Sequence, residues 1–212
     1  MSQPESKPIN HLGLKLIAAT LLATALVFAW TSSNYKSDQS TKETWIDQTG
    51  HLHVLGITLG RTVLREAEIA LKSRSDIALY IYPESHSEAG LTLEAFFPAI
   101  ADHSKVILKL DADESLLKKM QQRSTLPHLY PNKVARMNLH PEDLPAVQQL
   151  PVKTLTLIPS IEITIDKLKA RFGEPSSTHS SDDGSHYYLF ADVGLQAMLK
   201  QGDATRLLFR NP

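Results

Sequence analysis

The sequence predicts an α+β protein, an N-terminal transmembrane helix followed by antiparallel sheet units with packed helices. Three observations carry that expectation. Residues 12–30 read LGLKLIAATLLATALVFAW, nineteen residues with Lys15 as the one charge. At about 1.5 Å rise per residue they reach about 28 Å, close to the ~30 Å hydrocarbon core of a bilayer. Beyond residue 44, apolar residues switch between helical and strand spacing in short stretches cut by Pro and Gly. A helix followed by three strand-like stretches occurs twice, over 63–110 and 165–209, which suggests a duplicated helix-plus-three-strand unit.

Composition narrows the function classes. Of 212 residues, 42% are hydrophobic and 21% charged, enough apolar content for an ordinary core. The chain has no cysteine, which removes disulfides, thiolate catalysis, Cys-zinc sites and a lipidated N-terminal Cys. The formal net charge is −1; Lys7, Lys15 and Glu5 leave residues 1–30 at +1 and the remainder at −2. Nucleic-acid binders draw affinity from cationic contacts to phosphates, so no nucleic-acid partner is expected.

The elements follow in order. Residues 1–11 read as a short cytoplasmic tail and 12–30 as the anchor, with Lys15 near one interface and Trp30 at the other. A cleaved signal peptide ending at Val27-Phe28-Ala29 competes, but typical signal cores run only about 7–15 residues. Lys7 and Lys15 favour an N-in signal anchor, giving a single-pass inner (plasma) membrane protein with its C-terminal domain periplasmic or extracellular. Residues 31–44 are polar and form a flexible tether. A first α+β unit spans 45–110, a helical connector 111–153 and a second α+β unit 154–212.

Within the first unit, 51–55 alternates like a strand and a helix follows from about Thr62 to Lys72. Strands are expected at 76–82, 91–97 and 105–110, the first two ended by Pro83 and Pro98. Asp111 and Glu114 have capping-box spacing for a helix to about Arg123. Residues 133–139 read as a strand, His140-Pro141 as a short helix start, and 154–158 as a strand. Ile165, Leu168 and Phe172 make a helix face closed by Gly173, with Pro175 beyond. Residues 176–185 read as a flexible loop, followed by strands at 186–190, 195–199 and 206–209.

Ala170-Arg171-Phe172-Gly173-Glu174-Pro175, a polar loop, then Tyr187-Tyr188-Leu189-Phe190 and Gly194-Leu195 resemble the helix–GxP–strand–GL pattern of SmpA/OmlA-type, β-lactamase-inhibitor-like modules. The resemblance covers the C-terminal ~45 residues and implies a small extracytoplasmic α+β module that binds proteins rather than catalysing. This chain differs from that family in having the apolar N-terminal run and no cysteine to carry a lipid.

Chemical signals are few. Gly56–Thr62 (GITLGRT) is one residue short of a phosphate-binding loop and carries Arg61 where Lys belongs, so a turn into a helix explains it better. His51 and His53 share one strand face and could begin a metal site, with His86, His179 or His186 as third ligand. No nucleophile elbow accompanies the serines at 85, 87 and 176–181, and Asp111, Asp113 and Glu114 are accounted for by helix capping.

No catalytic residue, cofactor or metal ligand is therefore assigned. The favoured function is a membrane-anchored, periplasmic protein-interaction or scaffold module without catalytic activity. The alternatives are a metal-binding protein or enzyme using His51/His53, and an accessory subunit of a membrane complex. The expected partners are the bilayer, through residues 12–30, and a protein. In 186–190 neighbours cannot share a core, and placing Tyr188 and Phe190 inward leaves Tyr187 and Leu189 as the candidate partner-binding residues.

Overall fold

A computed structural model of the chain describes residues 20, 21, 24, 44–86 and 89–212. Its architecture overturns two expectations. No helix among the described residues is long and apolar enough to cross a membrane. Thr20, Leu21 and Thr24 are helical and exposed. The Thr24 hydroxyl donates to the Thr20 carbonyl at 2.9 Å. The single-pass signal anchor and the inner-membrane, periplasmic placement built on it are thus withdrawn. The rest of 12–30, the tail 1–11 and the tether up to residue 43 lie outside the described residues.

The second correction concerns fold class. Residues 44–212 are mostly β: a ten-stranded antiparallel sheet and a three-stranded one, with four α-helices between 64 and 172. The small sheet contains β1 (Trp45–Ile46), β2 (Leu52–Val54) and β3 (Ile57–Thr58). After it come α1 (Leu64–Leu71), β4 (Asp76–Tyr82), β5 (Gly90–Phe97), β6 (Lys105–Leu110) and α2 (Glu114–Arg123). Then follow β7 (His128–Leu129), β8 (Ala135–Asn138), α3 (Leu144–Val147), β9 (Val152–Ile158) and α4 (Ile165–Phe172). The chain closes with β10 (Ser177–Ser180), β11 (His186–Phe190), β12 (Leu195–Leu199) and β13 (Arg206–Arg210).

The strand order of the large sheet is β10-β11-β12-β13-β9-β6-β5-β4-β8-β7. The two expected units are therefore one sheet, joined because β6 and β13 both pair with β9. They are not copies either. Both are antiparallel to β9, so β4 and β11, the first strands of the two meanders, run the same way. Two units of one hand meeting in that manner would put their helices on opposite sheet faces. Here α1 and α4 pack into one core on the same face, so the meanders are mirror images.

Paired residues of an antiparallel ladder share a face. Following the register from β4 to β11 puts Leu79, Leu93, Ala95, Phe97, Val106, Leu108, Leu155, Leu207, Phe209, Leu195, Ala197 and Phe190 on one side. Every one of them is buried. Leu64, Ala67 and Leu71 of α1, Leu117 and Met120 of α2, and Leu168 of α4 cover them, together with Leu52, Val54 and Ile57 of the small sheet. Each fully buried Leu or Phe gains about 1.5–3 kcal/mol over exposure. This single-sided core holds the domain together.

Helix ends follow local chemistry. Asp113, rather than Asp111, caps α2: its carboxylate accepts from the Leu116 N–H at 2.7 Å. Gly173 has φ +83° but an extended ψ of −167°, so it ends α4 without adopting the left-handed cap expected of it. Both outer strands, β7 and β10, are short and exposed.

Candidate partner-binding face

The other face of the large sheet sets the candidate site. Its side chains include Tyr80, Tyr82, Thr92, Phe96, Ile107, Thr154, Thr156, Leu208, Gln196, Met198, Tyr187 and Leu189. All of them are half-buried; from β4 to β13 only Ala78 and Glu94 on this face are buried. No side chain of this face belongs to the core or packs against it. Strand neighbours shield these residues from the side, and no described element covers them from above.

Tyr187 and Leu189 lie on this open face, opposite Met198 and Gln196. Tyr188 and Phe190 point into the core, where Phe190 meets Phe172 of α4 at 5.9 Å between ring centroids. His186 shares the inward parity but is exposed at the strand end and bonds the Ser180 hydroxyl at 2.8 Å. It borders a cavity of about 660 Å³ lined by Ile163, Ile165, Tyr188, Leu199 and Thr205. That cavity is on the helix-covered side and separate from the open face.

Sequence reasoning missed the polar centre of the open face. Glu94, 6% exposed, accepts from the Tyr82 hydroxyl at 2.8 Å and from Thr92 at 3.2 Å. The Lys109 ammonium is 3.9 Å from it and 5.2 Å from the centre of the Tyr82 ring, and His86 packs on that ring at 4.6 Å. A carboxylate this buried requires such partners. Nearer the β7 edge, Arg136 makes two 2.9 Å bonds to Asp76. Burial pushes the Tyr80 phenol above its ordinary value, against the opposing pull of the Arg136 guanidinium. The available signal was Glu94 in the apolar run GLTLEAFF, where a charge inside a strand needs an explanation.

His51 and His53 are not brought to any third ligand. Both ring nitrogens of His53 are engaged, with Asp47 at 3.2 Å and Thr58 at 3.0 Å, and its ring stacks on Trp45 at 3.9 Å. His51 has its Nδ1 buried without a partner, beside Gly60. Among the described residues, no group of three or more His, Cys, Asp or Glu is arranged to hold a metal. His86, in the turn after β4, packs on Tyr82, and His179 of β10 lies by Tyr187; neither belongs to this cluster. Gly56 and Gly60, both at positive φ, make the turns of the GITLGRT loop, and the Gly60 N–H donates to Val152 at 2.7 Å.

Asp47 organises the small sheet. It accepts from the Thr49 hydroxyl and N–H, the His51 N–H and the His53 ring. The Thr49 hydroxyl first, then the His51 amide, hold its carboxyl well below the ordinary carboxylate range. A folded-state pKa below the unfolded one stabilises fully above the ordinary value of 3.8, and this contribution is lost progressively as pH falls from there through the depressed folded value. Asp47→Ala should lower the melting midpoint by a few degrees at pH 7. The gap from wild type should narrow steadily as the pH falls from about 4 to about 2; a pH-independent gap would show that the carboxylate's charge is not what matters.

No family model matches the chain, and no curated protein does. A solved structure of a DUF4309 family protein, YjgB of Bacillus subtilis, is similar over 77% of this chain and 89% of that chain, at 6% identity and a TM-score of 0.39.

Proposed function

We propose that residues 44–212 form a protein-interaction module whose open sheet face, around Tyr187 and Leu189, receives the partner. The observation carrying this reading is the one-sided core. A sheet with all its helices on one face presents Tyr, Phe, Ile, Leu and Met side chains on the other with no described element over them. Contiguous apolar patches of this kind mark interaction surfaces, and Tyr is enriched at their energetic centres. Ten strands about 4.8 Å apart and about 17 Å long give roughly 800 Å², the ~800 Å² per partner of a standard interface. The resemblance of 170–195 to SmpA/OmlA-type modules points the same way.

A photoreactive benzophenone residue in place of Leu189, and separately of Leu208, tests this in the cells that make the protein. Both positions should give the same protein adduct, and the same residue in place of Lys118, exposed on α2, should not. Tyr187→Ala should reduce the adduct at least fivefold while costing only about 1 kcal/mol of stability, as a half-buried side chain with no core contacts. Adducts from Lys118 alone, or none from the sheet face, would remove the reading.

A further inference from the structure

The middle of the open face carries a charge pattern that specifies its partner further, on the premise that this face is the binding surface. Thr156 of β9 is flanked in register by Ile107 of β6 and Leu208 of β13. Thr154, two residues earlier, is flanked by Lys109 and Arg210. Lys105 and Lys109 bracket Ile107 along β6, and Arg206 and Arg210 bracket Leu208 along β13. Four cations therefore frame an Ile–Thr–Leu row. Strand spacing makes the frame about 10 Å across and about 13 Å long.

Lys109 is tied to Glu94. Lys105, Arg206 and Arg210 are exposed and make no ion pair among the described residues. With Arg136, Asp76 and Glu94 included, the open face sums to +3 with His neutral. Residues 44–212 hold 18 Lys and Arg against 20 Asp and Glu, net −2, so the rest of the domain carries −5. The one face that no described helix covers is thus net positive on a domain that is net acidic elsewhere.

We infer that the partner is a protein presenting an acidic surface, whose carboxylates seat on the Lys105, Lys109, Arg206 and Arg210 frame while an apolar contact covers Ile107 and Leu208. Arg favours such seating because its guanidinium is planar and weakly hydrated and offers two parallel donors to a carboxylate. Two copies meeting face to face would oppose +3 with +3, which like-charge repulsion disfavours. A bilayer surface is disfavoured because the apolar side chains here are half-buried in the sheet rather than projecting from it.

The test uses the 212-residue chain and two labelled sixteen-residue peptides, one alternating Glu and Tyr and the other Lys and Tyr, followed by fluorescence anisotropy. The Glu-Tyr peptide should bind, weaken severalfold between 50 and 200 mM salt, and lose at least tenfold in Arg206→Glu/Arg210→Glu. The Lys-Tyr peptide should bind at least tenfold more weakly than the Glu-Tyr one. Circular dichroism and melting confirm that the double variant, altered only at exposed positions, remains folded. Equal binding of both peptides, none of either, or an unchanged double variant overturns the inference. Stronger binding to phosphatidylglycerol vesicles than to the Glu-Tyr peptide would assign the frame to lipid headgroups and overturn it as well. Self-association abolished by the double variant would assign the frame to a second copy and would likewise overturn the acidic partner. A sheet-face photoadduct that survives the double variant would retain the binding surface and refute only the acidic partner.

Discussion

Phe97→Ala should cost about 4 kcal/mol of folding free energy, and Phe96→Ala beside it about 1 kcal/mol. The two rings are adjacent in sequence and opposite in parity. Phe97 is fully buried and registers with Val106 in the core, while Phe96 registers with Ile107 and Asp76 on the open face and is half-buried. Truncating Phe97 removes a large apolar surface and leaves a cavity that the surrounding Leu and Val side chains refill only in part. Truncating Phe96 removes a ring whose upper side touches no described element. Urea unfolding with an unchanged slope for both variants makes the comparison clean. Similar large losses from both would mean that the second face is a core too, and the binding surface would disappear with that result.

Gly194→Ala should cost about 3 kcal/mol or more. Gly194 ends the tight turn Ala191–Val193 between β11 and β12 at φ +57°, where an L side chain costs roughly 1–2 kcal/mol. A Cβ there would also run into the carbonyl oxygen of Arg210 and come within 3.3 Å of the Leu52 side chain. The Arg210 N–H donates to the Gly194 carbonyl at 3.0 Å, so neither backbone segment can withdraw without breaking that bond. Gly202→Ala is the control: its φ is +77° with nothing within 4 Å, and it should lose only about 1 kcal/mol. Equal losses would mean that the dihedral alone governs and that the close approach of β13 relaxes freely.

Strands β4, β6, β11 and β12 and helix α4 fall on the bounds expected from sequence because each is a local signal, a period of two or of 3.6 ended by Pro, Gly or a polar pair. The parity of Tyr187 against Tyr188 was legible for the same reason. Strand β10 was not: Ser177-Thr178-His179-Ser180 has no apolar pattern and is a strand only because Tyr187 to Leu189 offer it a ladder. Strand β7, between Pro127 and Pro131, likewise borrows its conformation from β8. Hydropathy and length alone make the apolar run at 12–30 look like an anchor, which the described residues do not support. The cation frame was out of reach because Lys105, Thr154 and Arg210 are distant in sequence and meet only through the order of β6, β9 and β13.

The place of β9 between two mirror-image meanders sets a schedule for synthesis. When β6 leaves the ribosome, one of its edges has to wait for residues 152–158, some forty positions later. Once β9 has docked, its far edge stays bare until residues 206–210 arrive. A bare, flat, apolar edge is a template for pairing with any other chain. The nascent protein therefore carries a bare strand edge for most of the stretch between residues 110 and 206. Pairing of residues 206–210 with β9 is the event that ends its exposure to neighbouring polypeptides, so a truncation before residue 206 should yield an aggregate rather than a slightly weakened protein.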